Sequence, residues 1–123
     1  VDQNYSELLK LTQRLLHYTA EIKTQYIDVA PFTSEVDFYG DVKPFVDEVT
    51  QDIEAWKPLA LEWVANEKPM YIHPIQIEKT VENLLMVAVQ CFYTKTRKTR
   101  FLNTVEAVVY VMANVENHLL KLY

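Results

Sequence analysis

The 123-residue chain is half apolar, 12 % aromatic and 24 % charged, which supplies one packed core and leaves room for only one domain. Its single glycine, Gly40, leaves folds that need many positive-φ turns or glycine-rich phosphate loops poorly supplied, which argues against sheets and against Rossmann or P-loop sites. Seventeen acids against twelve bases give a net charge of −5, the wrong sign for a general binder of nucleic acid or anionic membrane.

Cys91 is the only cysteine, so an intramolecular disulfide and zinc sites built on paired cysteines are excluded. No apolar run approaches the roughly 20 residues of a membrane span. The start, Val1-Asp2-Gln3-Asn4, lacks the basic and apolar regions of a signal peptide, although the absence of an initial methionine leaves room for a removed segment. A cytoplasmic setting, away from membranes, is the expectation.

Apolar residues recur at helical spacing in four blocks. In the first, Leu8, Thr12, Leu15, Thr19, Ile22 and Tyr26 step by fours and threes, with Leu9, Leu11 and Leu16 widening the face. That predicts a helix from about Asn4 to about Ile27, ended by the stretch from Asp28 to Ser34 that contains Pro31.

The second block, Phe38, Val42, Phe45, Val49, Ile53, Trp56, Ala60 and Trp63, keeps its rhythm past Pro44 and Pro58. Pro58 has no amide to give the carbonyl of Glu54, so a kink is expected there rather than a helix end. Asp41 as N-cap would put Pro44 in the first turn, whereas Asp37 as N-cap would make Pro44 impose a second bend; Phe38 in the stripe favours the earlier start. The segment Glu67-Lys68-Pro69 closes this helix.

His73 is expected near the cap of the third helix, with Pro74 at its first position, and the stripe Ile77, Val81, Leu84, Leu85, Ala88, Val89, Phe92 carries it to about Thr94. After a turn over 94–99, Phe101, Val105, Val108, Met112, Val115 and Leu119 form the fourth. Short connections make sequence neighbours antiparallel. The expected fold is therefore all-α: one up-and-down antiparallel four-helix bundle over residues 1–123, with a Pro-kinked second helix.

That topology brings the first and third connections to one end. The third is strongly basic, with Lys95, Arg97, Lys98 and Arg100, and the first carries Asp28, Glu35, Asp37 and Asp41. The structural reading is that these charges answer each other; the functional one is that the basic cluster holds a phosphate or an acidic partner segment. A second candidate is the apolar connection Met70-Tyr71-Ile72-His73, expected to fold over the opposite end. Tyr71, His73 and Gln76 would there make a small polar recognition corner, or His73 would simply cap the third helix. On the fourth helix Leu102, Val109 and Leu120 flank the stripe on one side and Val111 and Leu122 on the other; on the third, Ile75, Met86 and Tyr93 extend it. These broad arcs reflect either deep burial in a compact bundle or a homodimer through the third and fourth helices.

Catalytic and metal chemistry find no support in the motifs. Di-iron carboxylate bundles need Glu-x-x-His on two helices, and that pattern is absent. His17, His73 and His118 stand apart, with His118 at the border of its stripe and read as half-buried and hydrogen-bonded. Cys91 lies at the stripe's edge without a neighbouring base and is read as structural; Trp56 and Trp63, seven residues apart on one face, are read as core. No catalytic residue, cofactor or metal is assigned.

The residues Asp37-Phe38, Val42-Lys43-Pro44, Trp56, then Pro69-x-Tyr71-Ile72-His73-x-x-Gln76-Ile77, and finally Arg100-Phe101 with Glu106 beyond, resemble the YppE-like family of small proteins from Bacillus and its relatives. The likeness covers about Asp37 to the C-terminus and is weaker over the first helix. It implies an up-and-down four-helix bundle and a bacterial cytoplasmic setting, and it brings no catalytic residues. The expected function is a non-enzymatic module that contacts an unknown protein partner; the alternative is a small-molecule or anion binder using the basic turn or the Tyr71–Gln76 corner.

Overall fold

A computed structural model describes residues 3–121, with side chains from Tyr5 onward; the Val1-Asp2 start and Leu122 of the sequence reading lie outside them. Four helices make up the fold: α1 (Gln3–Thr24), α2 (Lys43–Glu67), α3 (Pro74–Gln90) and α4 (Lys98–Leu120). No strand occurs among the described residues. Each helix packs on its neighbours in a ring, α1 on α2 and α4, α3 likewise, while α1 and α3 barely meet across the diagonal.

Side-chain pairs fix the directions. Tyr5 at the start of α1 donates to Glu67 at the end of α2 (2.9 Å), and Phe45 at the start of α2 meets Phe92 just past α3 with ring centroids 5.8 Å apart. Tyr26, just past α1, stacks on Phe101 at the start of α4 (3.9 Å, 14° between rings). Each of these pairs joins the end of one helix to the start of another, so ring neighbours run antiparallel.

The stripes of α1 and α4 fill the core as spaced: Leu8, Thr12, Leu15, Thr19, Ile22 and Tyr26 are buried, and so are Phe101, Val105, Val108, Met112, Val115 and Leu119. Trp56 and Trp63 lie with them. The indole N–H of Trp56 donates to Thr12 Oγ1 (2.9 Å), whose own hydroxyl donates to the Leu8 carbonyl (2.7 Å), so a large aromatic is buried with its one polar group satisfied.

Three expectations need correction. The α-helical ladder of α1 stops at Thr24, and the chain continues through a widened turn over Gln25–Val29, in which the Ala30 amide reaches back to the Gln25 carbonyl, and a tight turn Ala30–Phe32 around Pro31. Asp37 does cap the next helical stretch, accepting the Gly40 amide on Oδ1 (3.0 Å), but that stretch, Phe38–Val42, is again a widened turn, with the Lys43 amide bonded to the Phe38 carbonyl. The extra residue rotates everything before it by about 100° relative to α2. Phe38 therefore leaves the buried stripe and is 48 % exposed, and Pro44 falls in the first turn of α2, where its missing amide costs little. Gly40 suits this turn because a Cβ there would meet the Asp37 carboxylate and force that capping side chain to shift.

The third correction concerns α3, which ends at Gln90, four residues earlier than the stripe suggested, as the amides of Phe92 and Tyr93 switch to carbonyls three residues back. Its buried face is also rotated: Thr80, Val87 and Cys91 are inside and Val89 is exposed. α2 runs unbroken through Pro58 and ends on Lys68 at φ 46°, a left-handed residue whose amide closes on the Val64 carbonyl (3.0 Å). On the broad arcs, Leu102, Val109 and Val111 pack partly buried against the core, whereas Ile75, Met86, Tyr93 and Leu120 are exposed.

Candidate functional site

The first and third connections meet at one end of the bundle. Tyr26 joins them: its ring lies on Phe101 and its hydroxyl donates to the carbonyl of Thr96. With its body buried and its polar tip bonded, Tyr26 pins the basic turn against the end of α1.

Around that pin the surface is apolar where a connection should be polar. Phe32 is 84 % exposed and Tyr39 78 %, and Val29, Phe38 and Val89 lie open beside them. Two concavities flank the widened turn at Phe38. One, of about 450 Å³, is lined by Val29, Val36, Gly40, Asp41, Phe45 and Phe92 among others; a smaller one of about 210 Å³, almost wholly apolar, lies between Phe38, Val42, Val46 and Val89. The 48 % exposure of Phe38 follows from the phase shift described above, so the irregular backbone is what presents this ring to solvent.

Charges of both signs border the aromatic surface. Lys95, Arg97, Lys98 and Arg100 are solvent-facing except for their stems, as are Asp28, Glu35 and Asp41. Among the described residues none of these seven is in an ion pair within 4 Å, and Asp37 is held by the Gly40 amide. Adjacency at one end does not bring these side chains within ion-pair distance of one another. Arg97 and Arg100, with Asn83, Thr99, Asn103 and Thr104, line an open groove of about 570 Å³ between α3 and α4.

The Tyr71–Gln76 corner occupies the opposite end. Gln76 Oε1 accepts the His73 amide (2.7 Å) while the Gln76 amide donates to the His73 carbonyl (3.0 Å), closing the first turn of α3 behind Pro74. His73 is exposed at the N-cap, and Tyr71, at φ 67°, points its chain outward at 75 % exposure. Of the apolar connection only Ile72 enters the core, so Met70 and Tyr71 do not cover the bundle end as the sequence suggested.

Two further sequence candidates lie inside the bundle. Burial pushes the Cys91 thiol from the usual 9.0 up to about 12, and its Sγ lies 3.3 Å from the Ala88 carbonyl, so it is no nucleophile. His118 is half-buried, its Nδ1 2.8 Å from the Asn114 carbonyl and its ring edge-on to Trp63. Among the described residues no group of three or more His, Cys, Asp or Glu is placed to hold a metal ion. No helix among them is long and apolar enough to cross a membrane.

One polar cluster escaped the sequence reading. Asp52 lies on the buried face of α2, and its Oδ1 takes a 2.8 Å bond from Arg14 of α1. Desolvation, followed by the carboxylates of Asp52 and Glu48, raises the pKa of the neighbouring Tyr18 hydroxyl. An acidic residue at a core position was the available signal, but its partner stands 38 residues away in sequence.

The bacterial domain of unknown function DUF1798 matches residues 12–119. The chain belongs to that family. An uncharacterised Bacillus subtilis protein, YppE, is 27 % identical over 112 residues, covering 91 % of each chain. Among solved structures, a Listeria innocua protein of unknown function is 30 % identical, with a TM-score of 0.91 over 96 % of this chain and 94 % of that one. The Bacillus subtilis YppE crystal structure superposes with a TM-score of 0.88 at 26 % identity over 94 % of both chains. The family match reaches back to residue 12 and so takes in most of α1, where the sequence resemblance was weakest. The chain is a small bacterial protein of a family whose function is not assigned.

Proposed function

We propose that the protein is a non-enzymatic cytoplasmic interaction module whose contact surface is the bundle end built from residues 25–42 and 91–100. The observation that carries this reading is the exposure of Phe32, Phe38 and Tyr39 on one connection, with Phe38 lining one of two concavities there, at an end where a bundle of this kind needs only polar turns. Exposed aromatic clusters beside shaped apolar grooves are a feature of docking surfaces, since a partner gains affinity by filling them. A lone buried cysteine suits a reducing compartment. The test uses the full chain as bait on a lysate of its own bacterium. Phe32→Ser/Tyr39→Ser is expected to lose the partners retained by wild type and by Tyr110→Ser, a tyrosine on α4 that is 64 % exposed. Unchanged capture by the double variant contradicts the reading.

A second reading is favoured by the groove that contains Arg97 and Arg100: it is an anion site, with arginine forks aimed at phosphate-like oxygens. The basic turn suits this better than the Tyr71–Gln76 corner, because it offers guanidinium donors, whereas Tyr71, His73 and Gln76 include no arginine or lysine. Titration with inorganic phosphate, followed by amide shifts of residues 97–103, tests it; shifts no larger than those elsewhere on the surface refute it.

A further inference from the structure

We propose that the occupant of the connection end is a second copy of this chain, docked about a two-fold axis so that the acidic connection of each copy faces the basic connection of the other. This rests on the reading of that end as the contact surface and names its partner. A two-fold contact uses the same patch twice, so the patch must complement itself. A surface of one sign cannot do so, because like charges would meet across the axis. Here Asp28, Glu35 and Asp41 lie on one connection and Lys95, Arg97, Lys98 and Arg100 on the adjoining one, the two linked through Tyr26 and Thr96.

Both sets are free to act between molecules, since among the described residues none of the seven is in an ion pair within its own chain. Rotation by 180° about an axis between the two connections places acids over bases on both sides at once. Phe32, Phe38 and Tyr39, interleaved with the acids in the first connection, supply apolar surface for the desolvated centre that charges alone do not provide. Other occupants engage half of this pattern. A basic apolar segment would satisfy the acids and leave four cations facing like charge, and an inorganic anion would use the basic groove without touching the aromatics.

The test is sedimentation equilibrium of the full chain at about 20 mM and about 500 mM NaCl, where the screening length falls severalfold. A monomer–dimer equilibrium is expected at low salt, with the dissociation constant at least roughly tenfold higher at high salt. Glu35→Lys/Asp41→Lys makes the end strongly net basic, and Arg97→Glu/Arg100→Glu, with Lys95 and Lys98 kept, makes it net acidic. Each alone should weaken self-association at least roughly tenfold, and mixing the two should restore a one-to-one complex. Phe32→Ser/Tyr39→Ser should weaken the dimer while leaving its salt dependence in place. All six positions are exposed, and far-UV circular dichroism verifies that each variant is folded.

A monomer at every concentration up to about 0.5 mM in low salt overturns the proposal, since that corresponds to less than about 5 kcal/mol of association. If Phe32→Ser/Tyr39→Ser still abolishes capture from the lysate, the interaction reading survives that result and only the second copy is lost. A dimer indifferent to salt and to both reversals also overturns it, placing the contact on the exposed Met86 and Tyr110 of α3 and α4 instead. A monomer that binds inorganic phosphate through Arg97 and Arg100 assigns the basic half to an anion and overturns it as well.

Discussion

Replacing Thr12 with valine removes one hydroxyl from the middle of the bundle and is predicted to cost about 1–3 kcal/mol of stability. Thr12 is fully buried; its Oγ1 accepts from Trp56 Nε1 at 2.9 Å and donates to the Leu8 carbonyl at 2.7 Å. Valine keeps the volume and the β-branch, so packing and helix propensity change little. The Leu8 carbonyl retains its place in the helical ladder. What remains is an indole N–H sealed inside the core with nothing to accept it, and that desolvation penalty sets the magnitude. Thr12→Ser makes the opposite change: the hydroxyl stays and one methyl is lost, for about 0.8 kcal/mol plus a small cavity term. Valine should thus be worse than serine although it retains more carbon. In a cycle with Trp56→Phe, the cost of Thr12→Val should shrink by at least about 1 kcal/mol, because the orphaned donor is gone. Urea unfolding followed by far-UV circular dichroism measures all five proteins. A Thr12→Val variant within about 0.5 kcal/mol of wild type, or strict additivity in the cycle, would refute the reasoning.

Other parts of the molecule make separate predictions. With its pKa raised from 9.0 to about 12, Cys91 stays protonated in the folded chain while the unfolded chain ionises, so stability is fully present below pH 9 and falls as pH rises toward 12. Relative to Cys91→Ala the wild type should lose up to about 1.4 kcal/mol per pH unit across that window, measured by urea unfolding at several pH values; equal slopes contradict it. Lys68→Gly relieves a left-handed residue at the end of α2 and should stabilise by about 0.5–1 kcal/mol, read as a rise in thermal midpoint; a fall would show that the lysine is not strained. Gln76→Ala removes the acceptor for the His73 amide and should cost about 0.5–1 kcal/mol while leaving partner capture intact; lost capture in a stable variant would return the corner to a binding role.

The helical period was legible wherever the backbone keeps it. Both outer stripes, Leu8 to Tyr26 and Phe101 to Leu119, reach the core residue for residue, because an unbroken 3.6-residue repeat leaves one phase for the buried face. Phe38 was misplaced because a widened turn inserts a residue, and nothing in apolar spacing marks such an insertion. α3 was misphased because it is apolar on several sides, so Val87 and Val89 compete on equal terms until neighbouring helices choose between them. At the candidate site, what topology made readable is the adjacency of residues 25–42 and 91–100. The absence of ion pairs between them was not readable, because it depends on a few ångströms of side-chain reach. Asp52 illustrates the same limit in reverse: a carboxylate at a core position is tolerable only with Arg14 beside it, and that pairing exists only once α1 and α2 have packed.

Site-directed photo-crosslinking in living cells tests the central claim most directly, with benzoylphenylalanine placed at Phe32 in one strain and at Tyr110 in another. Both positions are more than half exposed, so the reagent at either one can reach passing proteins. Irradiation is predicted to give discrete adducts from position 32, one of them at the mass of two chains, and none from position 110. Adducts from position 110 alone, or indistinguishable smears from both, would contradict a functional surface at the connection end of the bundle.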